Sequence, residues 1–128
     1  MLKRSMLVLV AMLALTACAS SSGSRSARQQ DVITAEEIER TTVANLYELV
    51  QRLRPRWLDL RSPQTFESST EIVVFEGQAY RGGVEALRDF PKEAAVRLIY
   101  LDGPTATVRL PGLTTRNVEG AIVIIPAN

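Results

Sequence analysis

The chain contains no histidine and only one cysteine among its 128 residues. Without histidine there are no Ser–His or Cys–His nucleophilic pairs, and no metal sites with an imidazole ligand. One cysteine cannot form a disulfide within the chain. Basic and acidic residues number 15 and 14, a balance that argues against a general nucleic-acid binder. These absences predict a protein that is not an enzyme and that needs neither a cofactor nor a metal.

The N-terminal segment has the pattern of an export signal. Lys3 and Arg4 precede an apolar run over residues 6–15. A membrane span needs about 20 apolar residues, so this run fits the core of a signal peptide instead. The run leads into Leu15-Thr16-Ala17-Cys18, which resembles the lipobox of bacterial lipoproteins. That resemblance implies that residues 1–17 are removed and that Cys18 carries acyl chains such as palmitate. An ordinary signal peptide with an incidental cysteine is the alternative.

A serine-rich segment, ASSSGSRSARQQ, follows Cys18 and has no large apolar residue. Such a composition cannot bury a core, so residues 18–30 are predicted to be a lipidated tether. Arg25 and Arg28 either contact anionic lipid or are simply solvated. Residues 31–128 are then a single domain. We expect a lipid-anchored protein of the cell envelope, and Ala19, which is not an aspartate, favours the outer membrane, facing the periplasm or the surface.

Hydrophobic patterning in the domain predicts an α+β fold. Thr34 and Glu37 have capping-box spacing at a first helix start, and Pro55 ends a second helix whose apolar residues recur at helical spacing. A third, short helix is predicted over residues 83–90. Strands are predicted over residues 31–34, 72–75, 95–101 and 120–125, and residues 57–60 are predicted to be extended. The expected architecture is a small, mixed, four-stranded sheet with two or three short helices covering both faces.

Three glycines lie between a predicted strand and the third helix. Gly77, Gly82 and Gly83 match neither the G-x-G-x-x-G pattern nor the phosphate-binding loop with its Lys-Ser/Thr pair. Their spacing is typical of tight turns around a small hairpin. They are therefore predicted to build turns, as is Gly103, and no nucleotide is expected to bind.

The densest group of cations surrounds Trp57 and consists of Arg52, Arg54, Arg56 and Arg61. Guanidinium groups beside an aromatic ring can hold an anionic sugar, a lipid headgroup or a phosphate, or can contact a partner protein. Cations at the end of a helix also stabilise its dipole without binding anything. Both interpretations are open for this group.

Three stretches resemble, in order, the plug domain of TonB-dependent outer-membrane receptors. They are DVITAEEIERTTVANLYELVQRLRPRWL, IVVFEGQAYRGGVEALRDFP and AAVRLIYLDGPTATVRLPGLTTRNVEGAIVIIPA. The positions that match best are Ile33-Thr34, Glu37, Leu46, Leu53, Glu76-Gly77, Leu87, Phe90-Pro91, Leu101-Asp102-Gly103-Pro104 and Gly120-Ala121-Ile122-Val123-Ile124. The glycine-rich loop usual before the last strand is reduced to Gly112 and Gly120, and no TonB-contacting box or barrel is expected.

The resemblance implies a free-standing, plug-like domain. We therefore expect a non-catalytic binding module, tethered to the membrane, with an outer-membrane or periplasmic protein as its partner. The short strand at residues 31–34 is the expected sheet edge, where a partner strand could pair. The alternative is an envelope ligand-binding protein or an enzyme that uses the region from Arg52 to Arg61.

Overall fold

The computed structural model describes residues 28–65 and 69–128. Within these residues the chain forms one mixed sheet in the spatial order β1-β4-β5-β2-β3. Only the β2–β5 pair is parallel, and the three other pairs are antiparallel. The strands are β1 (Val32–Ile33), β2 (Glu71–Glu76), β3 (Ala79–Gly83), β4 (Ala95–Asp102) and β5 (Val118–Pro126).

Three α-helices of the described residues pack on the sheet, and a polar side chain caps the start of each; residues 28–30 are helical as well. The Thr34 side chain and Glu37 form the predicted capping box at the start of α1 (Ala35–Arg40). Asn45 caps α2 (Leu46–Leu53), and Asp102 caps α3 (Gly103–Arg109). These acceptors satisfy amide donors that have no partner within the helix. Short 3₁₀ helices span Pro55–Leu58, Val84–Asp89 and Lys92–Ala94.

The sheet is covered on both faces, as the continuously apolar strands predict. One core lies beneath α1, α2 and the 3₁₀ helix Pro55–Leu58, and the second lies beneath α3 and the turn that follows it. The first core includes Ile33, Ile38, Leu49, Trp57, Val74, Leu98, Ile122 and Ile124. The second core consists of Val73, Phe75, Ala106, Leu110, Leu113, Ala121 and Val123.

The α+β class and the mixed sheet are confirmed, but the described residues contain five strands where four were predicted. The additional strand is β3, which pairs with β2 on both sides of a β-bulge. The prediction of an extended segment at residues 57–60 is wrong for Trp57 and Leu58, which belong to the 3₁₀ helix Pro55–Leu58 with proline at its first position. Proline is favoured there, since its φ angle is already helical and its missing N–H is not needed. Helix α3 was not predicted.

The predicted turn glycines fall into two kinds. Gly77 (φ 59°) lies in the tight β2–β3 turn, and Gly82 (φ 126°) lies beside the bulge that interrupts this hairpin. Both adopt backbone angles that favour glycine. Gly83 ends β3 with φ −79°, and Gly103 is the first residue of α3 instead of a turn. At Gly103 the requirement is space, because a Cβ atom would collide with the Val118 carbonyl oxygen.

The predicted signal peptide, Cys18 and the tether as far as residue 27 lie outside the described residues. None of the described helices is long and apolar enough to cross a membrane.

Candidate functional site

Arg54 is the centre of a hydrogen-bond network at the start of the domain. It follows the last residue of α2, and its side chain is only 17% exposed. Its Nη2 atom donates to the carbonyl oxygens of Val32 (2.9 Å) and Gln29 (3.2 Å), and its Nε atom donates to that of Gln30 (3.2 Å). Nη1 donates to the Leu53 carbonyl oxygen at 2.9 Å. The guanidinium therefore binds main-chain oxygens of the protein itself.

The same guanidinium pairs with the carboxylate of Glu37. The Arg54 Nη2 to Glu37 Oε1 distance is 2.9 Å, and Glu37 Oε2 accepts from the Thr34 amide at 2.9 Å. Partial burial on its own would raise the pKa of Glu37, but the hydrogen bonds from Thr34 and the nearby Arg54 charge outweigh it. The net result is a pKa below the ordinary value of 4.5. Glu37 thus joins the start of α1 to the end of α2.

Arg56 and Trp57 complete the contacts to the segment before β1. Arg56 Nη2 donates to the Gln30 side-chain oxygen at 2.7 Å, and Trp57 Nε1 donates to the Gln30 carbonyl oxygen at 3.1 Å. The buried Trp57 ring stacks on Tyr100, with 5.6 Å between ring centroids and 24° between planes. Residues 29–30 are therefore bound by three side chains, those of Arg54 and of Arg56 and Trp57 in the 3₁₀ helix Pro55–Leu58.

The structure does not bring the four predicted arginines together at one open site. Arg52 donates from Nη1 to the Thr42 carbonyl oxygen at 3.1 Å, whereas Arg54 and Arg56 bind the residues before β1. Arg61 lies at the other end of this region, where its charge acts on Tyr100. The predicted anion contact at these residues thus lacks the convergence that an anion site requires, although Arg56 and Arg61 are exposed.

Tyr100 and Gly120 form a tight contact across β4 and β5. A Cβ atom at position 120 would overlap the Tyr100 hydroxyl and approach the Leu101 carbonyl oxygen. Burial raises the pKa of the Tyr100 phenol, with Arg61 opposing that rise. Because Gly120 has no Cβ atom, the Tyr100 ring has room to stack on Trp57.

A carboxylate next to this contact organises the loop before β2. Glu119 Oε2 accepts from the Ser62 amide at 3.2 Å, from the Ser62 hydroxyl and from the Thr70 hydroxyl. Gln64 bridges the same loop by donating from Nε2 to the Thr70 hydroxyl at 2.9 Å. Hydrogen bonding from Ser62 is the main cause that lowers the pKa of Glu119. Glu119 therefore has a structural role, because it holds the loop before β2 in place.

An open cleft lies between α1 and the start of β4, on the side of β4 that β1 leaves uncovered. Strand β1 pairs only with Leu98 and Ile99, because α1 begins at Ala35. The cleft has a volume of about 370 Å³. Its lining residues are Ala35, Ile38, Glu39, Lys92, Glu93, Ala95 and Val96.

A β-bulge places Val96 at the rim of this cleft. Ala95 pairs with Pro126 while Arg97 pairs with Ile125, so Val96 is the extra residue in β4. A bulge disturbs the regular alternation of side chains and can redirect one of them. The Val96 side chain is accordingly 43% exposed although it lies in an apolar strand. Sequence reasoning missed this cleft, because the pairing that creates the bulge joins two distant segments.

Within residues 28–65 and 69–128, no group of three or more acidic, cysteine or histidine side chains is arranged to hold a metal ion. The chain matches no protein-family model, no curated protein and no solved structure.

Proposed function

We propose that this chain is a membrane-anchored lipoprotein whose plug-like domain is a non-catalytic binding module at the outer membrane or in the periplasm. The order of the elements supports the plug-like interpretation. A short strand leads into two helices, a hairpin and a short 3₁₀ helix follow, and a Gly-Pro helix precedes the closing strand. This is the order of the three stretches that resemble the plug domain of TonB-dependent receptors.

One observation carries the binding role: the carboxylates of Glu37 and Glu119 are engaged in holding the fold, whereas the open cleft between α1 and β4 has an apolar floor. Glu37 holds Thr34 and Arg54, and Glu119 holds Ser62. Ile38 and Ala95 form the floor of the cleft between α1 and β4. Ala35 and Val96 are exposed beside this floor, and an open cleft with apolar lining is typical of a place where another molecule binds.

The alternative, an envelope ligand-binding protein or an enzyme that uses the region from Arg52 to Arg61, has less support. An anion bound there would compete with carbonyl oxygens and with Glu37 for the Arg54 guanidinium. Arg52, Arg56 and Arg61 are exposed, but they do not converge on one open site.

The test is photo-crosslinking of the full chain in the cells that produce it, with the photoreactive residue placed in turn at positions 60, 80, 96 and 108. These positions carry the exposed large apolar side chains of the described residues. We expect at least one of them to crosslink to a discrete envelope protein. The proposal fails if no position yields a discrete partner and the purified chain instead turns over an envelope substrate, with loss of turnover in Arg56→Ala or Arg61→Ala.

A further inference from the structure

The cleft between α1 and β4 combines an apolar floor with a negative rim. Ile38 and Ala95 are buried beneath it, and Val96 stands at its side as the bulged residue of β4. Single exposed apolar side chains are common on protein surfaces. Here the exposed Ala35 and Val96 adjoin the buried Ile38 and Ala95 within one cleft, which offers space for an aliphatic side chain.

The charges at the rim are not neutralised within the domain. Glu39 and Glu93 both line the cleft, and neither belongs to an ion pair formed among the described residues. Lys92 is the one cation that lines the cleft, and its ammonium group donates to the Thr41 carbonyl oxygen at 3.0 Å. The free charge facing a molecule in the cleft is therefore mainly negative.

We propose that this cleft binds a segment of a partner protein in which an aliphatic side chain stands next to lysine or arginine. The aliphatic group packs against Ile38, Ala95 and Val96, and the basic group lies near Glu39 and Glu93. This inference rests on the proposed function and adds to it the position of the site and the chemistry of the partner.

The negative charge of Glu39 and Glu93 at the rim of the cleft disfavours other occupants. Phosphate groups of lipids or nucleic acids would approach two carboxylates and be repelled. A second copy seated through the same cleft would bring Glu39 and Glu93 of both copies together, which costs free energy unless counter-charges are supplied. A basic segment gains from these carboxylates instead.

The experiment selects random heptapeptides displayed on phage against the full chain, held in nanodiscs of zwitterionic phosphatidylcholine. We expect the selected peptides to carry an aliphatic residue beside lysine or arginine. A synthetic peptide of the selected sequence is then titrated against variants by fluorescence anisotropy. Val96→Asp and the double variant Glu39→Gln/Glu93→Gln are each expected to weaken its binding by about tenfold or more. Added salt should weaken it as well.

Matched controls separate the cleft from the rest of the surface. Val108→Asp changes the most exposed apolar side chain, on α3 (87% exposed), and Glu36→Gln removes a charge from α1 outside the cleft lining. Both should leave the affinity within about twofold. Val96→Ala removes apolar contact without adding a charge and should give an intermediate loss, provided that circular dichroism shows each variant folded.

Three results would overturn the inference. Selected peptides that lack basic residues would contradict the partner chemistry, and binding that survives Val96→Asp would place the site elsewhere. Self-association of the wild type that Val96→Asp abolishes would make a second copy the occupant. In each case, a discrete crosslinked partner from position 60, 80 or 108 would leave the proposed binding function standing, so the two claims fail separately.

Discussion

At the residue scale, Arg54 explains why a cluster of arginines around a tryptophan need not be a ligand site. Its guanidinium carries five N–H donors in a rigid fork, and such a fork can serve several acceptors at once. In this domain the acceptors include the carbonyl oxygens of Leu53 and Val32 and the carboxylate of Glu37. The Val32 carbonyl oxygen lies on the outer side of β1, so Arg54 also occupies the edge at which a partner strand was expected to pair.

Replacing Arg54 should therefore destabilise the fold. Arg54→Ala removes the donor to the Val32, Gln29 and Leu53 carbonyl oxygens and the ion pair with Glu37, and we expect a loss of about 2–4 kcal/mol in the free energy of unfolding. Arg54→Lys should recover only part of that loss, because an ammonium group cannot span the same acceptors. Urea denaturation followed by circular dichroism measures both.

The control for Arg54 is Arg52→Ala, since Arg52 is exposed and has one hydrogen bond to the Thr42 carbonyl oxygen. That variant should remain within about 0.5 kcal/mol of the wild type. Equal losses for the two arginines would contradict the central role given to Arg54.

A second prediction at this scale concerns pH. The pKa of Glu37 is lowered in the folded state, so its ionised form stabilises the fold above the unfolded-state pKa. This contribution is lost as the pH falls from 4.5 down through the lowered folded-state value. The stability difference between wild type and Glu37→Gln should therefore shrink below about pH 4.5. Denaturant titrations from neutral pH to about pH 3 measure it, with Glu36→Gln as the control. A difference that is constant over this range would show that ionisation of Glu37 does not matter.

At the scale of elements, the β2–β3 hairpin contains two glycines whose positive φ angles favour glycine, Gly77 and Gly82, and one, Gly83, whose φ angle any residue can adopt. Gly77→Ala and Gly82→Ala should each cost about 1–2 kcal/mol, because positive φ angles crowd a Cβ atom against the backbone. Gly83→Ala should be tolerated within about 0.5 kcal/mol, since its φ is −79° and the nearest atom to an added methyl group is the Ile72 carbonyl oxygen at 3.9 Å. Thermal or urea unfolding of the three variants compares them directly. A loss at Gly83 as large as that at Gly77 would refute this distinction.

Elements with local signals could be predicted from the sequence, and elements that depend on distant contacts could not. The capping box at Thr34 and Glu37 identifies α1, and Pro55 marks the end of α2. Helix α3 was missed because Gly103 and Pro104 resemble a turn, although Asp102 supplies a capping oxygen to the Thr105 amide at 2.8 Å. The helix is favoured by packing in the second core with Val73 and Phe75 of β2, which precedes α3 in the chain by the whole of β3 and β4.

The same distinction applies to the candidate site. The arginines near Trp57 were visible as a cluster, but their acceptors at residues 29–32 and Glu37 are far away along the chain. The cleft beside β4 depends on a bulge that forms only when β4 pairs with β5. No local pattern around Val96 indicates either the bulge or the exposed side chain, because both result from register between strands.

At the scale of the whole molecule, the proposed lipoprotein anchor makes a prediction that is independent of the fold. If Cys18 is acylated as proposed, Cys18→Ala should release the protein from membranes, because each buried methylene of an acyl chain contributes about 0.8 kcal/mol of anchoring free energy. Membrane fractionation measures the release, and mass spectrometry of the mature N-terminus identifies the modification. Ala19→Ser, next to the cysteine, is the control and should remain in the membrane fraction. An unmodified Cys18, or cleavage at another bond, would contradict the prediction.

The bonds from Arg54, Arg56 and Trp57 to residues 29–30 also have a mechanical consequence. A force applied directly to the end of the two-residue strand β1 would break its hydrogen bonds to β4 one at a time. Here the pull reaches Gln29 and Gln30 first, and their hydrogen bonds lead to side chains rooted at the end of α2 and in the adjoining 3₁₀ helix. These bonds share the load, so tension from the N-terminal side is carried into the body of the domain before β1 is loaded.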